Sequence, residues 1–528
     1  MSLYSRFKGQ FGSILTVLVL FSVACQPQSK QSLYDQLALE EITVDALQAR
    51  YESGELTARQ VVNAYIERIE TLDAAGPNLN SVRTVNPNAR AIADSLDRER
   101  AEGRVRGPLH GVPILLKDNI DTYDMPTTAG SRLMDGSIPP DDAYIVQKLR
   151  EAGAIILGKT NLSEWANFHS SYSSSGWSGL GGQVHNPYDL SRNPCGSSAG
   201  SGAAGAANMA TLTIGTETNG SIVCPSGANG LVGLKPTIGL WSRDGIIPIS
   251  YTTDSAGPMV RTVRDAAILL GALTGVDDKD PMTAESNAHI YDDYTQFLNV
   301  DGLRGKRIGF YTGPMGTSFR VDTLTYQTIR TIQSLGAEVI EISRLPETNI
   351  GAEAFQVLVF EFKDGLDKYF ASLGDHAPVK SMQDLAEKIK ADPIETAIFD
   401  KDLILQAAAK DGLDSQEYKN ALERMLRYSR QEGIDKVMKG LNLDAIVSTT
   451  GSPAWVTDQV NGDNYSISSS SPSARAGYPV ITVPMGEIDG LPVGISFFGR
   501  AWSEPVLLEV AYAFEQATQK RFAPILTK

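Results

Sequence analysis

Apolar positions in the first hundred residues recur at helical spacing. Val44, Leu47 and Tyr51, then Val61, Tyr65, Ile66 and Ile69, fall on single faces with a period near 3.6. Ser53-Gly54 interrupts the pattern and Thr57 stands where a second helix needs a cap, so residues 33–105 read as helices. The character changes at 107–120, GPLHGVPILLKDNI, where Gly and Pro punctuate a short continuous apolar run. That is the form of a buried strand. Residues 140–153 return to a helical pattern, and AIIL at 154–157 is a second buried strand, ending in Gly158-Lys159-Thr160-Asn161. Strand, helix and strand in this order predict an α/β core.

Residues 176–239 are dense in Gly, Ser, Thr and Ala, yet carry Ile214, Ile222, Val223, Leu231, Val232 and Leu234. A solvated linker would not hold those apolar residues, so the glycines point to close backbone approach. The stretch that follows is more charged and helix-rich. It reads as a helical cover over about 280–440 with its charges on solvated faces. Strand-like runs return at AIVSTT (445–450), PVITVPM (479–485) and VGISFFG (493–499), and are expected to rejoin the same sheet. No internal repeat is present, and residues 36–528 are expected to form one domain.

The N-terminus stands apart. Arg6 and Lys8 precede an apolar run from Phe11 to Ala24, too short to span a bilayer comfortably and ending in small residues before Cys25. Residues 1–24 therefore read as an export signal and 25–35 as a polar tether. Ser22-Val23-Ala24-Cys25 resembles a lipobox, which would make Cys25 a lipid-anchored N-terminus facing the periplasm or the cell surface. Ser22-Val23-Ala24 also has the small-x-small form of ordinary signal cleavage.

A formal net charge of -15, with no run of Lys and Arg to override it, repels phosphate backbones and speaks against nucleic-acid partners. An oxidising compartment would let Cys195 and Cys224 pair. Two cysteines make no disulfide framework in a chain of 528 residues, however, and both are read as small buried side chains. The five histidines are scattered, no Cys/His cluster has ligand spacing, and neither a metal nor a cofactor is expected. The chain is compatible with a monomer or a homodimer.

Two places present serine among glycines. Gly196-Ser197-Ser198-Ala199-Gly200 matches G-x-S-x-G with Ser198 central. A nucleophile elbow should follow a strand, but YDLSRNPC before it reads as a loop, and the triad order needs a late histidine where none follows His376. The second place is Gly215-Thr216-Glu217-Thr218-Asn219-Gly220-Ser221, whose loop can turn several N–H groups toward an oxyanion beside Ser221. A serine needs a base, and a lysine serves if burial lowers its pKa. Lys117, after Val112, Ile114, Leu115 and Leu116, has that setting. Lys159 reads instead as a strand-end residue reaching solvent.

GVPILLKDNI, PCGSSAGSGAA, GTETNGSIVCPSGANGLVGLKPT and DSAGPMVRTVRDAA together resemble the amidase-signature family, in order along the chain from about residue 40 to 520. The resemblance implies an α/β fold with a central mixed, twisted sheet covered by helices on both faces. It implies Ser221 as nucleophile, Ser197 as relay and Lys117 as base. Backbone N–H groups of Thr218, Asn219, Gly220 and Ser221 would form the oxyanion hole, with Gly196 and Ser198 in support and a cis bond between Gly196 and Ser197. Family members often carry GGSSGG, where Cys195 and Ala199 replace two glycines here, and Asn219 replaces a frequent Gly. Within the family, LGKTNLSEWANF, GWSGLGGQVHNPY and SRDGIIPIS look closest to bacterial peptide amidases. The implied substrate is a C-terminal peptide amide, with a small aliphatic or aryl amide as the alternative. Residues 171–185 would form one wall of a peptide groove and the helical cover the other. An amidotransferase subunit is disfavoured by the export signal and by Val223, where that subgroup commonly has Ser-Ile-Arg. A non-catalytic binding lipoprotein is disfavoured by the presence of all three catalytic side chains. Arg192 and Arg243 are candidates for substrate contact or structural ion pairs. Trp165, Trp177 and Trp241 are candidates for cleft or core.

Overall fold

The computed structural model describes residues 31–526. The expected signal, Cys25 and most of the tether lie outside them. One sheet of eleven strands runs through the molecule in the order β1-β3-β2-β6-β8-β7-β12-β13-β11-β9-β10. The strands are β1 (Val82–Val85), β2 (Pro113–Lys117), β3 (Ile155–Thr160), β6 (Leu212–Glu217), β7 (Val232–Lys235), β8 (Ser255–Val260), β9 (Arg307–Tyr311), β10 (Glu338–Ile342), β11 (Ala445–Thr449), β12 (Val480–Ile488) and β13 (Leu491–Phe498). The small pair β4 (Trp177–Ser178) and β5 (Gly182–Gln183) stands apart from it. Pairing is parallel at β2/β3, β2/β6, β9/β10 and β9/β11 and antiparallel elsewhere, so the sheet is mixed.

Side chains of successive strand residues leave on opposite faces, and here they enter different cores. Ala445 and Val447 pack with Ile481 and Phe497 in one apolar cluster, while Ile446 packs with Val480 and Phe498 in another. Helices cover both faces. Among them, Val44–Glu52 and Ala58–Arg68 bury Val44, Leu47, Tyr51, Val61 and Tyr65, as their spacing predicts, and Thr57 caps the second in a capping box with Gln60.

Three expectations need correction. Residues 33–105 are not all helical, because VRTV forms edge strand β1 against β3. The stretch 280–440 is not a purely helical cover either. Its first part supplies β9 and β10, which extend the main sheet, before helices Gly351–Ser372, Met382–Ala391, Asp402–Ala408 and Gln416–Ser429. The tether ends early: Leu33–Gln36 is a short helix, and buried Tyr34 lies under the guanidinium of Arg68.

Candidate active site

Strands β2 and β6 lie side by side and parallel, with Leu116 opposite Ile214. Their C-terminal ends bring Lys117 next to Thr216, at the edge where α/β sheets place their sites. Lys117 is fully buried. Its Nζ lies 2.8 Å from Ser197 Oγ, 2.9 Å from Thr216 Oγ1 and 3.2 Å from the Thr216 carbonyl. Asn119 Nδ2 donates to the same Thr216 hydroxyl at 3.0 Å. No carboxylate pairs with Lys117 among the described residues. Burial lowers its pKa from the ordinary 10.5 to about 7, opposed by the more distant charges of Asp254 and Glu217.

Two loops bring up the serines. Residues 196–198 lead into the wholly buried helix Ala199–Ala206, and the bond between Gly196 and Ser197 is cis. This helix packs close to β6 because its residues are small. Ser198 bridges the two elements, donating to the Thr216 carbonyl at 3.0 Å and accepting from the Thr216 N–H at 3.2 Å. A Cβ at Gly215 would strike the Ser198 side chain, which is why glycine stands there. The second loop, 218–222, links β6 to helix Val223–Ala228. Gly220 takes φ 89°, a left-handed turn that glycine adopts freely. Glu217 accepts from the N–H groups of Ile222 and Val223 at 2.8 and 3.0 Å and fixes the far end of the loop. Thr218 Oγ1 donates to half-buried Asp254 at 2.7 Å, and the Asn219 side chain is held by Ser470 and Ser471.

Thr218, Asn219, Gly220 and Ser221 all line a cleft of about 460 Å³. Among the described residues their four backbone N–H groups donate to no protein acceptor. The Ser198 N–H donates to the Ser221 carbonyl at 3.3 Å, tying the two serine loops together. The Ser221 hydroxyl, 9% exposed in residue terms, has no hydrogen-bond partner among the described residues, Ser197 included.

One cleft wall is formed by residues 170–173 and Ser175, overlapping the Gly/Ser-rich stretch expected there. The opposite wall is not the helical cover, which contributes only Leu358. It is the loop after β11, with Trp455, Asn461, Gly462, Asp463 and Tyr465. Asp463 joins the two walls. It accepts from Ser175 Oγ at 2.5 Å, Trp455 Nε1 at 3.1 Å and Asn193 Nδ2 at 3.2 Å. Sequence reasoning passed over this loop because it has no periodicity, although its Trp-and-Asp content was a visible signal. The cover helices instead wall a second cavity of about 690 Å³, which meets the first at Ala166, Thr218 and Ile249.

Other expectations resolve as follows. Lys159 does not reach solvent: it is fully buried, 3.4 Å from Asp118 and bonded to Thr127 and the Pro126 carbonyl. Cys195 and Cys224 are not separate small side chains but a disulfide, because the two serine loops bring their Cα atoms to 6.0 Å. Arg192 reaches Asp189 and the Ala454 carbonyl, and Arg243, which borders the second cavity, is paired with Asp280 at 2.6 Å. Trp165, Trp177 and Trp241 are buried in the protein interior.

The family model described as Amidase matches residues 60–508, and the chain belongs to the amidase family. It is an amidase-signature hydrolase with that family's α/β fold. It is similar to the peptide amidase of Stenotrophomonas maltophilia, with 48% identity and a TM-score of 0.90 over 93% of this chain and 100% of that one. A probable amidase of Arabidopsis thaliana is 40% identical over 97% of this chain and 96% of its own length. A glutamyl-tRNA(Gln) amidotransferase subunit from Methanosarcina acetivorans is 33% identical over 89% of this chain and 96% of its own.

Proposed function

We propose that this amidase hydrolyses C-terminal peptide amides and releases ammonia through an acyl-enzyme on Ser221, with Ser197 as relay and Lys117 as base. The observation that carries the reading is the contact between buried, carboxylate-free Lys117 and Ser197, beside a cleft edged by four uncommitted N–H groups. A neutral amine has two hydrogens and one lone pair. The carbonyl and hydroxyl oxygens of Thr216 take the two hydrogens, which leaves the lone pair for the Ser197 hydroxyl. Ser197 passes its proton to Lys117 as it takes one from Ser221, and Ser221 attacks the carboxamide carbon. The hydroxyl of Ser221 turns toward Ser197 for this step, since catalytic hydrogen bonds tighten when substrate is bound. The oxyanion is held by the N–H groups of residues 218–221. Reversal of the relay gives the proton to departing ammonia, and water then cleaves the ester by the same route.

A peptide substrate is supported by the cleft's extent, by its aromatic residues Tyr172, Trp455 and Tyr465, and by the likeness to a peptide amidase. The test is the ratio of kcat/KM for a dipeptide or tripeptide amide to that for propionamide or benzamide. Contacts remote from the scissile bond should raise this ratio at least ~100-fold above unity. A ratio near or below one selects the small-amide reading.

Export and lipid anchoring at Cys25 form part of the proposal. A disulfide beside the cleft fits an oxidising compartment. In this reading attachment rests on acyl chains at Cys25; among the described residues no helix is long and apolar enough to cross a membrane. Cys25→Ser should release the enzyme in soluble form, and unchanged membrane association would count against the anchor.

A further inference from the structure

The floor of the cleft carries two cysteines, one on each loop that holds a proposed catalytic serine. Cys195 lies two residues before Ser197, and Cys224 lies three residues after Ser221, in helix Val223–Ala228. Both line the cleft together with Gly196 and Ser221. They pack with Ala228 and Trp455 in a small apolar cluster, so the disulfide lies in the cleft's lining with little of it exposed. Cys195 has φ 58°, a left-handed conformation where glycine is the easier residue. A cysteine at such a position is accounted for by the bond it makes.

The other ties are hydrogen bonds, among them the pair that Ser198 makes with the Thr216 backbone. The Ser198 N–H reaches the Ser221 carbonyl, and Asn229 Nδ2 donates to the carbonyls of both Pro194 and Pro225, at 2.8 and 2.7 Å. These contacts would keep the loops folded without the disulfide, but they leave the spacing of Ser197 and Ser221 less constrained. Displacements of about 1 Å at reacting groups can cost on the order of 100-fold in rate.

We propose that the Cys195–Cys224 disulfide is a positioning element for the hydrolysis, holding the Ser197 loop against the Ser221 loop, and that a dithiol entering the cleft converts the enzyme to a slow form. The inference rests on the Ser197–Ser221 reading above. In the chemical step a thiolate of the dithiol attacks one cysteine sulfur, the Cys195–Cys224 bond breaks and the other cysteine leaves as a thiolate. The dithiol's second thiolate then attacks the dithiol's own first sulfur, breaking the mixed disulfide and releasing the remaining cysteine as a thiolate. Two electrons and two protons pass to the protein, giving a thiol at Cys195 and at Cys224, and the reductant leaves as a cyclic disulfide. Because the bond lines the cleft, an occupant of the cleft shields it.

The test treats the full-length enzyme with dithiothreitol without denaturant and confirms thiols at Cys195 and Cys224 by alkylation and peptide mapping. kcat and KM for a dipeptide amide and the rate of fluorophosphonate labelling at Ser221 are then measured, with circular dichroism to verify native structure. We expect kcat and the labelling rate to fall roughly 10- to 100-fold, KM to change far less, and glutathione disulfide to restore both rates. A peptide aldehyde seated in the cleft should slow the reduction. The Cys195→Ser/Cys224→Ser variant, which needs no reductant, should show the same loss while remaining folded. Full kcat in enzyme mapped as the dithiol would overturn the proposal, as would resistance to reduction together with full kcat in the double variant. Failure of the oxidised enzyme to label at Ser221 would be a different result, removing the nucleophile assignment and this inference with it.

Discussion

Lys117 and Lys159 lie at the C-terminal ends of adjacent parallel strands, last in β2 and next to last in β3, and both are fully buried, yet their surroundings differ. Lys159 has a carboxylate, Asp118, at 3.4 Å. Among the described residues Lys117 has only the oxygens of Ser197 and Thr216. The register explains how neighbours come to differ. Leu116 pairs with Lys159 and Lys117 with Thr160, so the two ammonium groups leave opposite faces of the sheet. Burial lowers both pKa values, but at Lys159 the charges of Asp118, 3.4 Å away, and Asp121 oppose it. On the proposed reading, the absence of a partner charge suits a buried lysine to act as a base, and the presence of one suits it to a structural role.

The largest effect that would break this comparison is loss of turnover. Lys117→Met should lower kcat at least ~10³-fold, because both relay and nucleophile lose their proton acceptor. The same change should raise stability. The folded-state pKa of Lys117 is depressed, so near neutral pH the unfolded chain binds a proton that the folded one resists, and the wild type is penalised. That penalty is full below about pH 7 and fades as pH rises toward 10.5. The melting temperature of the variant should therefore exceed that of the wild type at pH 6, with the gap closing toward pH 10. A gap that widens with pH would refute the burial argument.

Lys159→Met should do the reverse. It leaves Asp118 buried without its cation, at a cost of about 3–5 kcal/mol, read as a lower urea midpoint. Its kcat, measured where the variant is fully folded, should stay within about threefold of wild type, since substitutions away from reacting groups act chiefly on stability. Abolished turnover in a folded Lys159→Met enzyme would reverse the roles of the two lysines.

The sequence reveals part of this contrast. The apolar run before Lys117 marks β2 as buried, and the joint pattern with GSSAG and GTETNGS singles that lysine out. Lys159 follows a similar run, and its partner Asp118 comes from the turn after a different strand, so proximity depended on tertiary pairing. The cysteine pair was hidden for the same reason. β1 escaped notice because its four residues are mostly half-exposed at the sheet edge, without a clean apolar alternation. β10, with the sequence EVIEI, is an edge strand whose exposed glutamates resemble the charged helical stretch around it. The three C-terminal strands are legible because they are continuous, mostly buried apolar runs inside the sheet rather than at its edge.

The account turns on Lys117 entering the reaction uncharged. The most direct measurement is the rate at which a fluorophosphonate labels Ser221 between pH 5 and 10, in wild type and in Lys117→Ala. The wild-type rate should rise through a single ionisation near pH 7, and the variant should be at least ~10³-fold slower with that limb gone. The same limb in the variant, or a flat wild-type profile through pH 7, would contradict the assignment of Lys117 as the base.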